Sequence, residues 1–486
     1  MMQTLEAESC YRALSARDRR FDGLFFVGVS TTGIYCRPVC TARTPRQERC
    51  AFYRTAAEAE REGFRACLVC RPELAPGSAP VDSVPRLVAT AVSRIEGGFL
   101  NESSIEGLAE ALGVTSRHLR RAMEAELGVS PVELAQSRRL ALARQLLQDT
   151  VLPLAEVAFA SGFQSVRRFN ALFQARFGRA PSSLRRERGK AEAARSLVLR
   201  LDYRPPLAWE QLLGFLRGRA IPGVEVVSET EYRRVVRLGG RTGWLGVRRD
   251  AKRHALLAEV SLSLAGVLMP VVARLRALFD LDARPELIAE CLGRDALLAE
   301  RLQVHPGLRV LGAFDSFEMT VRAILGQQVS VRAATTLAGR LVARFGEPLD
   351  TPHADLSRLF PTPETLAAAS EDDVASVGLP GARARSLLAV ARAIAEGSVR
   401  LESHVDVDAT MAALEELPGI GPWTAHYIAM RALRWPDAFP ASDLGIRKAL
   451  GGVTAKEALA RAESWRPWRS YAVLHLWTSL SEGAGG

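Results

Sequence analysis
Leu417-Pro-Gly-Ile-Gly-Pro-Trp-Thr-Ala425, followed by Phe439-Pro-Ala-Ser-Asp-Leu-Gly-Ile-Arg-Lys448, decides how the C-terminal half of the chain is read. The first segment lies between two helical stretches, so it reads as a helix-hairpin-helix loop. Gly419 and Gly421 let the backbone turn tightly. Amides at the start of the second helix, around Thr424, suit a DNA phosphate held without sequence preference. A Pro-Gly-x-Gly turn by itself is more often a purely structural hairpin. Asp443 then follows 22 residues after Gly421, beside Pro440 and Ser442, at a helix start whose dipole favours an anion. An N-capping aspartate would occupy the same position.

Three further stretches join this signature: Val321-Arg-Ala-Ile-Leu-Gly-Gln-Gln-Val-Ser330, Tyr427-Ile-Ala-Met-Arg431 and Trp465 to Ala472. Together, over residues 200–486, they resemble the AlkA-type 3-methyladenine glycosylases of the helix-hairpin-helix DNA-repair superfamily. The resemblance implies that Asp443 is the catalytic carboxylate and that Trp423, Tyr427 and Trp477 line the base pocket. It also implies that the residue at Gln328 fills the gap left by a flipped nucleotide; some relatives carry Leu there. Independently, Trp423 and Tyr427 are four apart on one helix face, and an electron-rich ring attracts the cationic purine made by N3 or N7 alkylation. Core aromatics would read the same way, and Trp465 and Trp468 are assigned to packing. A carboxylate stabilises the oxocarbenium character that the sugar gains as the glycosidic bond breaks. The superfamily's lyases carry a Schiff-base lysine just after the hairpin, where this chain has Trp423, and the chain has only Lys190, Lys252, Lys448 and Lys456. A monofunctional glycosylase is expected. A terminal four-cysteine cluster is missing, which argues against an iron–sulfur centre.

Six of the seven cysteines fall in the first 70 residues, and Cys36-x3-Cys40 with Cys67-x2-Cys70 has the spacing of a four-thiolate zinc site. Spacing alone fits a structural zinc. The neighbouring residues Asp22 to Phe26, Thr31 to Pro38 and Gly63 to Cys67 resemble the N-terminal domain of the Ada methylation-response regulators. That resemblance implies Cys36 as methyl acceptor, with Cys40, Cys67 and Cys70 completing one zinc site. A thiolate is the form that attacks an electrophilic methyl carbon. Cys10 and Cys50 are expected to be small buried residues. The Pro-Cys-His-Arg nucleophile motif of the usual Ada C-terminal methyltransferase does not occur.

Between these halves, Leu108 to Leu119 and Val157 to Phe169 repeat one plan: a short helix, a glycine turn, and a Ser-capped second helix ending at Gly128 or Gly178. A long helix near Pro131–Leu147 joins them. One basic helical hairpin would be unremarkable. Two, carrying Arg117, His118, Arg120 and Arg121, then Arg167, Arg168 and Asn170, resemble the AraC-type DNA-binding domain over about 100 residues.

The 486 residues carry Lys+Arg 64 against Asp+Glu 54, and residues 1–190 hold 28 basic and 20 acidic, so the excess lies forward. No basic and apolar leader or bilayer-length apolar run is present, which reads as cytoplasmic, with no membrane partner. The expected fold class is multidomain and mainly α with α+β parts. It comprises a small zinc-binding α+β domain (1–76), an all-α paired helix-turn-helix domain (84–187), an α+β domain with an antiparallel sheet (196–310) and an all-α helix-hairpin-helix glycosylase domain (311–486). Linkers are expected at 75–80 and 185–195. The partners implied are double-stranded, alkylated and promoter DNA, with RNA polymerase a candidate. Two other readings compete: a zinc-dependent transcription factor with a non-catalytic C-terminal half, and a glycosylase for oxidised or deaminated purines.

Overall fold
The computed structural model describes residues 6–77, 86–184, 196–401 and 406–483, so half of the first expected linker (78–80) and all of the second (185–195) lie outside the described residues. The chain forms two compact units, 1–204 with 238–241 and 250–276, and 205–237 with 242–249 and 277–486. Among the described residues no helix is long and apolar enough to cross a membrane.

At the N-terminus β1 (Phe26–Val29) pairs antiparallel with β2 (Ile34–Cys36) and β3 (Cys50–Tyr53), while β2 pairs parallel with β4 (Arg65–Ala66). The order β3-β1-β2-β4 buries β1 on both faces. Alternation explains how: Val27 packs with Cys10, Leu14 and Phe25 on one side, and Phe26 with Tyr35 and Ala59 on the other. Cys10 is buried as expected. Cys50 is only half-buried, because β3 is the edge strand, and its thiol donates to the Arg46 carbonyl at 3.3 Å.

The two helical hairpins follow. Helices Ile105–Ala111 and Ser116–Leu127 form the first, Leu154–Ala160 and Val166–Phe177 the second, and Pro131–Asp149 joins them behind a Ser130/Glu133 capping box. The second helix of the first hairpin is capped by Thr115, not by Ser116 as expected. Thr115 has the extended backbone a cap needs, and its hydroxyl accepts from the His118 amide at 3.2 Å. Ser165 caps the other, and both helices end on left-handed glycines, Gly128 (φ 72) and Gly178 (φ 67). Leu119 and Met123 face the core of the first helix; Phe169, Phe173 and Phe177 do so in the second.

Residues 196–261 supply an antiparallel five-stranded sheet in the order β5 (Ser196–Asp202), β9 (Ala255–Ser261), β8 (Arg241–Arg249), β7 (Glu231–Leu238), β6 (Glu225–Val227). Apolar and polar residues alternate along β7, and β9 ends at Ser261, after which the chain turns as a short 3-10 helix, Leu262–Val267. From Ser316 onward the chain is helical. Phe317, Val321 and Leu325 pack against Leu341, Leu387 and Leu388, each full burial worth about 1.5–3 kcal/mol. Trp465 and Trp468 are buried, and the Trp465 indole N–H donates to Asp295 Oδ2 at 3.1 Å.

Candidate functional site
The hairpin loop joins helices Val407–Glu415 and Pro422–Arg431. Only one of its glycines turns the chain. Gly419 sits at φ 77, where a Cβ would lie 2.1 Å from the Ser386 hydroxyl, whereas Gly421 is extended (φ −102) and a Cβ there would meet nothing within 4 Å. Gly421 thus leaves open space in front of a helix N-terminus that has no side-chain cap. Thr424, expected at the DNA surface, points inward: it is 3% exposed and its hydroxyl accepts from Gln327 Nε2 at 2.9 Å. The same Gln327 nitrogen donates to the Gly419 carbonyl at 2.9 Å, so Gln327 ties the loop to the preceding segment. Gln328 beside it is exposed and held at φ 55, a strained conformation for a non-glycine residue.

Asp443 is the N-cap of helix Leu444–Ala449, and its Oδ1 accepts from the Ile446 amide at 2.9 Å. Two indoles complete its shell: Trp477 Nε1 donates to Oδ1 at 3.0 Å and Trp423 Nε1 to Oδ2 at 2.8 Å. The capping geometry and the carboxylate's placement are therefore one arrangement. Trp423 stacks on Tyr427 with centroids 5.4 Å apart and planes 8° apart, and Tyr427 lies 6.1 Å from Trp477. With those rings in contact, a base cannot be sandwiched between Trp423 and Tyr427; it would enter against Tyr427, Trp477 and Asp443. These four residues line a cavity of about 330 Å³ together with Phe215 and Met319, within the size range of small-molecule sites. No lysine lines it among the described residues.

Residues 197–310 carry no motif named above, yet Phe215, Arg219, Glu225 and Arg234 from that stretch line the cavity. Arg322 pairs with Glu225 and, at 2.7 Å, with Glu318; Arg234 pairs with Glu318 at 2.6 Å; Tyr232 donates to Glu225 at 2.6 Å. Burial alone would raise the Glu225 carboxyl, but the Arg322 and Arg234 guanidiniums outweigh it and hold the group down at about 2. The group's stabilising contribution is therefore complete above the ordinary glutamate range and is lost only as the pH falls towards 2. Removing one member leaves an uncompensated buried charge. Arg322→Met is expected to destabilise the second unit by about 3–5 kcal/mol in chemical denaturation, because Glu225 and Glu318 lose their shared partner.

In the first unit, the sulfurs of Cys36, Cys40, Cys67 and Cys70 lie within 4.8 Å of one another. Four thiolates that close cannot coexist without a cation among them, and an all-sulfur set suits zinc. The surrounding backbone is built for charge on sulfur: the Arg37 amide donates to Cys70 Sγ and the Val69 amide to Cys67 Sγ, each at 3.4 Å. Buried Arg37 pairs with Asp22 and, at 2.9 Å, with Asp202. Cys36 is half-buried and faces a cavity of about 360 Å³ whose walls include Arg43, Arg65 and Arg179. On the hairpin helices Arg117, His118, Arg120, Arg121, Arg167, Arg168 and Asn170 are all exposed, opposite the buried faces described above.

Comparison with known proteins matches these features segment by segment. Residues 9–73 match the metal binding domain of Ada, 108–187 a helix-turn-helix domain, 198–315 the AlkA N-terminal domain, and 321–469 the HhH-GPD superfamily of base excision DNA repair proteins. The chain is 43% identical over 482 residues to the probable bifunctional transcriptional activator/DNA repair enzyme AlkA of Mycobacterium tuberculosis, covering 97% of this chain and 96% of that protein. It is 40% identical to the DNA-3-methyladenine glycosylase 2 of Escherichia coli over 57% of this chain and 95% of that protein. The 3-methyladenine DNA glycosylase structure from Archaeoglobus fulgidus shares the fold over 57% of this chain, with a TM-score of 0.51 at 23% identity.

Fold and sites thus define a DNA-repair protein in which a base-excision glycosylase half is joined to an Ada-type metal-binding module and a helix-turn-helix pair. The chain belongs to the family of bifunctional transcriptional activator/DNA repair enzymes AlkA.

Proposed function
We propose that the protein hydrolyses the N-glycosidic bond of alkylated purines such as 3-methyladenine and 7-methylguanine, with Asp443 as the catalytic carboxylate. The observation that carries this reading is a carboxylate held by two indoles and a helix amide at an aromatic cavity. Its charge stabilises the oxocarbenium-like sugar and orients the attacking water. Trp423 and Trp477 fix the carboxylate, while Tyr427 and Trp477 present ring faces to the base. The backbone around Gly419 and Gly421 holds a phosphate, with Thr424 fixing the loop from inside, and Gln328 fills the place of the flipped nucleotide. That no lysine lines the cavity among the described residues supports a monofunctional enzyme that leaves an abasic site and gives no borohydride-trapped adduct.

The first unit would accept a methyl group from DNA methylphosphotriesters on Cys36. Zinc, held by Cys36, Cys40, Cys67 and Cys70, would keep the cysteines as thiolates at neutral pH. The Cys36 sulfur forms a bond to the methyl carbon as the carbon–oxygen bond breaks, and the electron pair returns to the phosphate oxygen. The resulting thioether is not regenerated, so the event is stoichiometric. Arg117, Arg120, Arg167 and Arg168 would contact promoter DNA, with RNA polymerase as the partner for activation in the cytoplasm. The functional segments would run 1–76, 84–187, 196–310 and 311–486.

Methylated duplex incubated with purified protein, then cleaved with alkali, should show breaks at alkylated purines, and cysteine peptides should show one added methyl on Cys36. Methylation replaces an anionic ligand by a neutral one. DNA affinity should then rise by about 1–3 kcal/mol, the usual scale of coupling between sites. Equal promoter affinity of methylated and unmethylated protein at matched salt would refute the switch.

A further inference from the structure
The back wall of the base cavity carries two guanidiniums that form no ion pair among the described residues. Arg431, at the end of the hairpin's second helix, is 4% exposed. It donates Nη1 to the Tyr427 hydroxyl at 3.2 Å and Nε to the Leu311 carbonyl, and it has no ion-pair partner among the described residues. Arg219 lines the same wall, its guanidinium 3.7 Å from the centroid of Phe215, a ring that Arg431 approaches to 4.9 Å. It too has no carboxylate partner among the described residues. The neighbouring Arg234, Arg322, Glu225 and Glu318 compensate one another, so Arg219 and Arg431 remain as a surplus. Burial pushes both guanidiniums below the usual arginine range. A desolvated cation of this kind is costly to keep, and such costs concentrate where charge develops during a reaction.

The Tyr427 hydroxyl keeps a hydrogen to give. A guanidinium can only donate, so the Tyr427 oxygen accepts from Arg431 and its own hydrogen stays available. The phenol ring is fixed by its stack on Trp423, and Tyr427 lines the cavity. We propose that Tyr427 donates this hydrogen bond to the departing base, with Arg431 as positioning residue for the phenol oxygen and Arg219 adding positive potential, so that the wall favours bases that leave as anions. The proposal rests on the glycosylase reading above. When the bond from the sugar C1′ to the base nitrogen breaks, its electron pair stays on the base. A neutral deaminated purine such as hypoxanthine leaves as an anion; water supplies hydroxide to C1′ and a proton to the base. A cationic 7-methylguanine leaves neutral and places no anion against the wall.

The test uses full-length protein and single-turnover excision from duplexes carrying one hypoxanthine or one 7-methylguanine. Tyr427→Phe keeps the stacked ring, and the hypoxanthine to 7-methylguanine rate ratio should fall about tenfold or more, as for loss of a charge-assisted hydrogen bond. Arg431→Met should move the ratio in the same direction; if that variant does not fold, Tyr427→Phe decides. A ratio in Tyr427→Phe within about twofold of wild type overturns the proposal. So does a wild-type protein that removes 7-methylguanine but not hypoxanthine. A wild-type protein that removes neither defeats the glycosylase reading itself.

Discussion

Asp443→Asn is expected to lower excision of 7-methylguanine by about a hundredfold to a thousandfold or more while duplex binding persists. Two losses add. The charge of the proposed catalytic carboxylate, which would oppose the oxocarbenium-like sugar, disappears. The shell of Asp443 also offers only donors: Ile446 N and Trp477 Nε1 to Oδ1, and Trp423 Nε1 to Oδ2. Asparagine keeps two of these bonds by placing its oxygen at Oδ1, which sets its amide NH2 against the Trp423 N–H. The substitution therefore retains volume but not hydrogen bonding, and it loosens the Trp423 ring that stacks on Tyr427. Binding should survive because the proposed phosphate contacts are amides of the Gly419–Gly421 loop, which Asp443 does not touch. Single-turnover rates and filter-binding affinity on one lesion duplex separate the two effects. Wild-type excision in this variant would move catalysis to another residue and reopen the assignment of the cavity.

The resemblance carried by the quoted motifs brings Asp443, Trp423, Tyr427 and Trp477 forward as candidate site residues, and the spacing of the two cysteine pairs brings forward Cys36, Cys40, Cys67 and Cys70. Their mutual arrangement is a different matter. The indole bonds to Asp443 span 20 and 34 residues, and the pairing of Arg322 with Glu225 spans 97. Composition and periodicity carry no signal at that range. Glu318 and Arg322 are one helical turn apart and look like an ordinary surface pair; only the fold buries them. Arg234 shares its strand face with Tyr232, Val236 and Leu238, so alternation places it inward while its charge suggests solvent, and only the buried carboxylates brought to it by the fold resolve the conflict. Thr424 misleads for the same reason: a hydroxyl at a helix start reads as outward until Gln327, 97 residues earlier, claims it. Local rules also fix caps only to within a residue, as Thr115 in place of Ser116 shows.

Cys67→Ser should remove the metal, unfold the segment 6–77 and weaken promoter binding, while excision by the second unit continues at the wild-type rate. Little apolar packing holds the N-terminal module together. Its two apolar clusters contain Cys10, Ala13, Leu14, Phe25 and Val27 on one side of β1, and Phe26, Tyr35 and Ala59 on the other. Against that small core, a structural four-thiolate zinc contributes about 10–16 kcal/mol of apparent binding free energy. Cys67 is buried, and its carbonyl accepts from Arg144 Nη2 of the helix that joins the two DNA-binding hairpins, at 2.6 Å. Other bonds link the same module to the recognition helices: Arg54 donates to the Glu126 carbonyl at 3.1 Å, Thr55 to the Leu127 carbonyl at 3.4 Å, and Arg176 pairs with Glu60 at 3.2 Å. Collapse of the module would therefore free the C-terminal ends of both recognition helices, and the loss of promoter affinity should exceed what the missing zinc module's own DNA contacts supply. Metal content, limited proteolysis and promoter affinity measured on one preparation check each step. A metal-free protein whose N-terminal segment resists protease would show that the sheet and its two small clusters suffice, and that the thiolates are gathered for reaction and not for stability.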